Sequence, residues 1–169
     1  MKFSAAQLTL GLPEITNYSK QAYKGGAQTR RVLQDKAGQL YFANDEGVLS
    51  FDGARWKLYP LPNRSLVRSM QFGPDGQLYV GGQDEVGYFK PAADGSLQFQ
   101  SLKPLLPAGS RSFADVWEII FLGNELFFQT TSAVYHISGK KVNIYTDENW
   151  RFLGVIRGQL IAQSKKRGF

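Results

Sequence analysis

The chain has no cysteine and only one histidine in 169 residues, so it can build neither a disulfide framework nor a thiolate or multi-histidine metal site. Nor does any apolar run approach the roughly 18 residues of a membrane span, and no membrane insertion by this segment is expected. The opening MKFSAAQLTLGLP has one lysine and the small patch Ser4-Ala5-Ala6, but lacks the apolar stretch of a secretory signal. Residues 1–14 therefore read either as the remnant of a trimmed signal peptide or as a plain tail. A phosphate-cradling loop is missing too, because Gly25-Gly26 and Gly81-Gly82 do not precede helical patterns. Nothing in the sequence asks for a cofactor.

Charge excludes less than it first suggests. The formal net charge is +6, yet the basic residues are scattered and only Lys165, Lys166 and Arg167 form a run. A solvated surface accounts for such a distribution, and nucleic-acid binding by this segment is not expected.

What the chain does have is 14% aromatic residues, 18 glycines and 43% hydrophobic residues. That mixture favours short strands joined by tight turns, and the expected class is all-β. The stretch QDKAGQLYFANDEGVLSFDGARWKLY, from Gln34 to Tyr59, returns with changes as GPDGQLYVGGQDEVGYFKPAADGSLQFQSL and FLGNELFFQTTSAVYHISGKKVNIY, and then, truncated, as IRGQLIAQ. Leu40, Leu78, Leu126 and Leu160 anchor the copies at steps of 38, 48 and 34 residues, each two positions after Gly38, Gly76, Asn124 or Gly158. Unequal steps with a constant motif mean loop insertions between repeating units.

Each full unit holds four short strands: A (RRVLQ, VRSMQF, VWEIIF), B (QLYFA, QLYVG, ELFFQ), C (VLSF, GYF, AVYHI) and D (RWKLY, LQFQSL, VNIY). Asp52-Gly53, Asp75-Gly76, Asp94-Gly95, Gly123-Asn124 and Ser138-Gly139 supply the turns. The spacing of strand D recurs at Ile15 and Tyr18, so residues 15–19 are expected to be a strand completing another blade. Four-stranded meanders at about 40-residue intervals point to a β-propeller fragment of about three and a half blades, over about 29–62, 66–102, 114–147 and, partially, 150–169. A β-sandwich is the alternative, but it has no reason to repeat its turns in register.

These residues also resemble the two-component-regulator propeller repeats, in the pattern Gln34-Asp35, Gly38, Leu40 to Ala43, Gly47, Phe51-Asp52-Gly53, Trp56 and Tyr59. PEITNYSKQAYKGGAQ, WKLYPLPNRSLVRSM, YVGGQDEVGYF and FADVWEI are similar to the first blades of periplasmic sensor regions in bacterial regulators, particularly those of the Bacteroidetes type. The resemblance covers about residues 8 to 163. It implies a periplasmic sensor piece whose output, a histidine kinase or a LuxR-type DNA-binding domain, would belong to other parts of a longer, membrane-anchored protein. Arg30 departs from the family pattern, so ligand preference does not transfer directly.

Read for chemistry, Asp35, Asp45, Glu46 and Asp52 lack the spacing of a helix-loop-helix calcium loop, and no metal site is expected. Asp45-Glu46 and Asp84-Glu85 both fall between strands B and C, where they either line a cation- or hydroxyl-binding rim or are solvated loop tips. His136 in strand C of the third unit has no nucleophile beside it, which leaves enzyme chemistry poorly supported. A propeller lyase stays as an alternative, as does a protein-interaction scaffold.

In a propeller, strand A lies nearest the axis and the D-to-A and B-to-C loops share one face. Counting nine and ten residues back from each anchor leucine puts Arg30-Arg31, Arg68-Ser69, Val116-Trp117 and Trp150-Arg151 at the start of strand A. Arg30, Arg31, Arg68, Trp117, Trp150 and Arg151 suit sugar rings and carboxylates at a shallow polar site, so a carbohydrate or small polar ligand is expected; packing between blades is the alternative role. The insertion Ser101 to Asp115 lies on the same face, as a lid, a docking loop or a cover for the blade edge. Open blade edges would be closed by self-association or by the remaining blades of a longer parent chain.

Overall fold

The computed structural model describes residues 15–147 and 149–165; the 1–14 tail, Lys166 and Arg167 lie outside the described residues. Those residues form a β-propeller fragment of about three and a half blades. Blade one is β1 (Thr29–Gln34), β2 (Leu40–Asn44), β3 (Gly47–Phe51) and β4 (Trp56–Tyr59). Blade two is β5 (Val67–Phe72), β6 (Leu78–Gly82), β7 (Val86–Pro91) and β8 (Leu97–Ser101). Blade three is β9 (Glu118–Leu122), β10 (Glu125–Gln129), β11 (Ala133–Ser138) and β12 (Lys141–Thr146), and β13 (Trp150–Ile156) with β14 (Gln159–Ser164) begins a fourth. Within each sheet the strands run in sequence order and pair antiparallel. The first strands β1, β5, β9 and β13 are neighbours in space, which makes them the innermost row.

Turn chemistry closes the meanders. Gly76 sits at φ +77°, a conformation that glycine adopts without penalty, and Asp75 Oδ1 accepts from Gln77 N at 3.0 Å. A tyrosine then braces the turn: Tyr79 Oη donates to Asp75 Oδ2 at 3.0 Å, and in blade one Tyr41 Oη donates to Asp35 Oδ2 at 3.2 Å. Burial, followed by the Asp35 charge, pushes the Tyr41 hydroxyl up to about 12.

Strand alternation decides how blades stack, because successive side chains point to opposite faces. Along β10, Leu126 and Phe128 join the core shared with blade two, whereas Phe127 joins the core shared with the fourth blade. The same split separates Ile119 from Ile120 and Tyr135 from Val134. Blades one and two share a third core, which includes Tyr41, Ala43, Val67, Met70, Val80 and Phe89. Gly81 marks how closely two blades approach: a Cβ there would overlap Val116 Cγ1.

The expected strand over residues 15–19 is not one. Among the described residues Ile15 to Ser19 has no ladder partner, and it leads into a short helix, α1 (Lys20–Tyr23). A strand needs a neighbour to pair with, and this segment lies against a sheet face instead. Tyr18 packs edge-on against Phe51 and Trp56, and Tyr23 also meets Trp56, so the segment covers the face of blade one turned away from blade two.

Two outcomes follow for stability. Phe128 is fully buried between blades two and three, so Phe128→Ala should cost about 3–5 kcal/mol in urea unfolding. Because Tyr41 titrates higher when folded than its ordinary value near 10, its contribution is intact below about pH 10 and declines as pH rises toward 12. Unfolding followed across that range should show a shallower decline in Tyr41→Phe.

Candidate functional site

The innermost strands are irregular at one repeated place. Register shifts separate Thr29 from Arg31, Val67 from Ser69 and Trp150 from Phe152, so Arg30, Arg68 and Arg151 are each the extra residue of a β-bulge. Blade three has the same two-against-one count: Trp117 N donates to Gln129 O while Glu118 pairs with that same Gln129. Bulges re-aim a side chain out of the ladder, and here all four lie at the mouth of strand A.

Arg30, Arg68, Trp117 and Arg151 are thus equivalent, and Arg31, Ser69, Glu118 and Phe152 form the next row. A fixed count back from the anchor leucines misses this by one residue in the later blades. The reason is turn length: Gln34 pairs with Leu40 and Phe72 with Leu78, but Phe121 pairs with Leu126 and Val155 with Leu160, one residue closer. Glu118 escaped notice for that reason, although its place one residue after the bulge marks it.

Two arginines at this mouth, Arg68 and Arg31, reach across blades. Arg68 Nε lies 2.7 Å from Asp115 Oδ1, and its guanidinium sits 4.3 Å over the Trp117 ring. Arg31 donates to both Glu118 carboxylate oxygens at 2.7 Å and to Met70 O at 3.3 Å, which links the inner strands of blades one, two and three. Such a bidentate pair fixes orientation as well as charge.

A cleft of about 530 Å³ opens between blade three and β13, lined among others by Trp117, Glu118, Gln129, Trp150, Arg151 and Phe152. Trp117 is 46% exposed, with its Nε1 donating to Thr131 Oγ1 at 3.0 Å. Trp150 is held by Nε1 donation to Tyr145 O at 3.2 Å, while its own carbonyl accepts from Gln129 Nε2 at 3.1 Å. Two tryptophans, one carboxylate and one arginine therefore line a single opening, with the Trp150 ring also packed against the core between blade three and β13.

The acidic pairs are built into the scaffold. Asp45 accepts from Arg30 Nη1 at 2.6 Å and from Gln28 N at 3.3 Å, and only Glu46 is left exposed. Buried Asn44 beside them clamps the preceding segment, accepting from Gly26 N at 2.6 Å and donating to Gln28 O at 2.9 Å. In blade two, Asp84 accepts from Phe113 N at 2.9 Å and pairs with Lys103 at 3.1 Å; buried Glu85 accepts from Ser101 Oγ at 2.7 Å. These bonds tie down the 101–115 insertion, whose Leu106 and Phe113 are buried in the core between blades two and three. Among the described residues no group of three or more His, Asp and Glu side chains is placed to hold a metal ion.

His136 lies in β11, two strands out from the innermost row. Its ring stacks on Phe127 with centroids 4.2 Å apart, and Nε2 is 3.1 Å from Glu125 Oε2.

No family model matches the chain, and no curated protein matches it in sequence. Solved structures do match in fold. The extracellular domain of a protein assigned as a hybrid two component system from B. thetaiotaomicron superposes with a TM-score of 0.64 at 16% identity, over 83% of this chain and 19% of that one. A second domain so assigned, from the same organism, gives 0.60 at 15% identity, over 79% and 20%. Virginiamycin B lyase from Staphylococcus aureus, in a catalytically inactive H270A form, gives 0.51 at 16% identity, over 72% and 42%. This chain spans about a fifth of the length of the B. thetaiotaomicron domains. At such identities the likeness establishes the propeller fold.

The Arg31–Glu118 pair gives a direct test of how the inner strands are held. A double-mutant cycle with Arg31→Met and Glu118→Gln should return a coupling of about 1 kcal/mol in unfolding experiments, since both groups are partly exposed. Arg31→Lys should recover only part of it.

Proposed function

We propose that this chain is part of an extracytoplasmic sensory propeller of a bacterial regulator, and that it takes a glycan or small polar ligand in the cleft between blade three and β13. The observation that carries this reading is the convergence of Trp117, Trp150, Glu118 and Arg151 on one opening. Indole faces stack on the apolar faces of sugar rings, and a guanidinium and a carboxylate select hydroxyl or carboxylate groups at the edge. Its volume falls in the range of small-molecule sites, roughly 300–1,000 Å³. The fold shared with extracellular domains assigned to one and two component systems, together with the repeat pattern from Gln34 to Tyr59, supports the sensory assignment.

A non-enzymatic role fits the same residues. Acid–base chemistry needs a titrating group within hydrogen-bond reach of a bound substrate; the single histidine is engaged with Phe127 and Glu125, away from this cleft, and the carboxylate in the cleft, Glu118, has both oxygens accepting from Arg31. Exposed Phe152, Val155 and Ile156 on β13 support further packing there, against additional blades or another copy.

Calorimetry and tryptophan fluorescence across neutral and acidic oligosaccharide fragments test the reading. Saturable heat with a change in emission that disappears in Trp117→Ala is expected, with affinity falling about tenfold or more. A panel without heat, or binding indifferent to both Trp117→Ala and Arg151→Gln, would overturn it.

A further inference from the structure

A second site lies at the opposite end of the blades, and it follows from comparing one row of residues across the repeat. In each full blade a side chain from the second strand, one from the third and one from the fourth stand directly opposite one another on the same face. In blade two that row is Tyr79, Tyr88 and Gln100; in blade three it is Phe127, His136 and Asn143. The middle member is a ring lying against the ring before it, with centroids 5.2 Å apart for Tyr79–Tyr88 and 4.2 Å for Phe127–His136.

Blade one breaks the row. It reads Tyr41, Ser50 and Lys57, so a hydroxymethyl group replaces the ring and a cation replaces the amide. Where the other blades fill space with an aromatic side chain, blade one leaves a recess of about 210 Å³. Tyr41, Ser50, Asp52, Arg55, Lys57 and Tyr59 line it from blade one, among others, and Leu97 closes it from blade two. Ser50 is 1% exposed and forms the floor.

The recess also holds cations left over from the structural pairing. Arg30, Arg31, Arg68 and Lys103 are each committed to a carboxylate within 3.1 Å. Among the described residues, neither Arg55 nor Lys57 makes a side-chain hydrogen bond or ion pair. They act only at longer range, Arg55 on Asp52 and Lys57 on Asp94. Asp52 is itself occupied, accepting from Ala54 N at 2.9 Å and Arg55 N at 2.7 Å.

We propose that this recess between blades one and two binds the oxyanion group of a small acidic molecule, with Arg55 and Lys57 as its cationic donors and the Tyr59 hydroxyl as a neutral one. A guanidinium fork and an ammonium suit the two oxygens of a carboxylate or the several oxygens of a sulfate or phosphate group. The volume is below the roughly 300 Å³ at which drug-sized sites begin, so the site takes an acidic group or a very small acid. It is separate from the cleft lined by Trp117 and Trp150, and neither proposal depends on the other.

Titration with inorganic sulfate, inorganic phosphate and acetate against chloride at equal ionic strength, followed by calorimetry and by amide chemical shifts around Ser50, tests it. At least one of the three should saturate, and the preference between acetate and the tetrahedral anions distinguishes a carboxylate from a sulfate or phosphate ligand. Arg55→Gln/Lys57→Gln should weaken binding about tenfold or more, whereas Lys141→Gln on blade three should leave it unchanged. Ser50→Tyr, which restores the ring present in blade two, should block binding; if it fails to fold, the double glutamine variant still decides. Absence of saturation with all three anions, or equal affinity in the double variant, would overturn the proposal.

Discussion

The structure depends on a two-residue period that must serve two neighbours at once. A blade in the middle of a propeller buries both faces, so consecutive residues of its strands are apolar toward different partners. Phe127 and Phe128, adjacent in sequence, belong to different cores. A one-residue slip in β10 would exchange those partners, and the tight Gly123-Asn124 turn before it, with Gly123 at φ +60°, holds the register. The same constraint explains the ends: Tyr18 and Tyr23 cover one face of blade one, while β13 shows Phe152, Val155 and Ile156 on its surface.

Within that frame, polar chemistry is sorted by position. At the mouth of the innermost strands, bulges turn Arg30, Arg68, Trp117 and Arg151 out of the ladder, and ion pairs fix two of them, Arg30 to Asp45 within blade one and Arg68 to Asp115 beyond blade two. The Arg31–Glu118 contact spans three blades, so a charge at the edge of the cleft is coupled mechanically to blade one. At the far end, loss of one aromatic ring at Ser50 leaves space beside Arg55 and Lys57. Both candidate sites are therefore deviations from the repeat.

Much of the fold was legible because turns and alternation are local. Gly38, Gly76 and the leucines that follow them state the meander directly, and the recurrence of Tyr41 at Tyr79 keeps its phase. The site was legible only as a neighbourhood. Counting from the leucines found Arg30, Arg68, Trp117 and Arg151, but in the last two blades it paired them with the wrong neighbours and passed over Glu118, because the first hairpin shortens by one residue after blade two. Asp45, Asp84 and Glu85 resembled an acidic rim because their spacing repeats, yet hydrogen bonds from distant segments hold each of them. Ile15 and Tyr18 matched the spacing of an outer strand, but spacing does not supply a partner strand.

By itself the sequence determined the all-β class, the blade repeat, the turns and the absence of any cysteine or multi-histidine metal chemistry, since each follows from residue type and short-range order. Tertiary structure alone decided which charges are spent and which are available. Whether Arg31 meets Glu118, 87 residues away, or Arg55 meets no carboxylate at hydrogen-bond distance among the described residues, depends on how blades stack, and no local pattern encodes that distance.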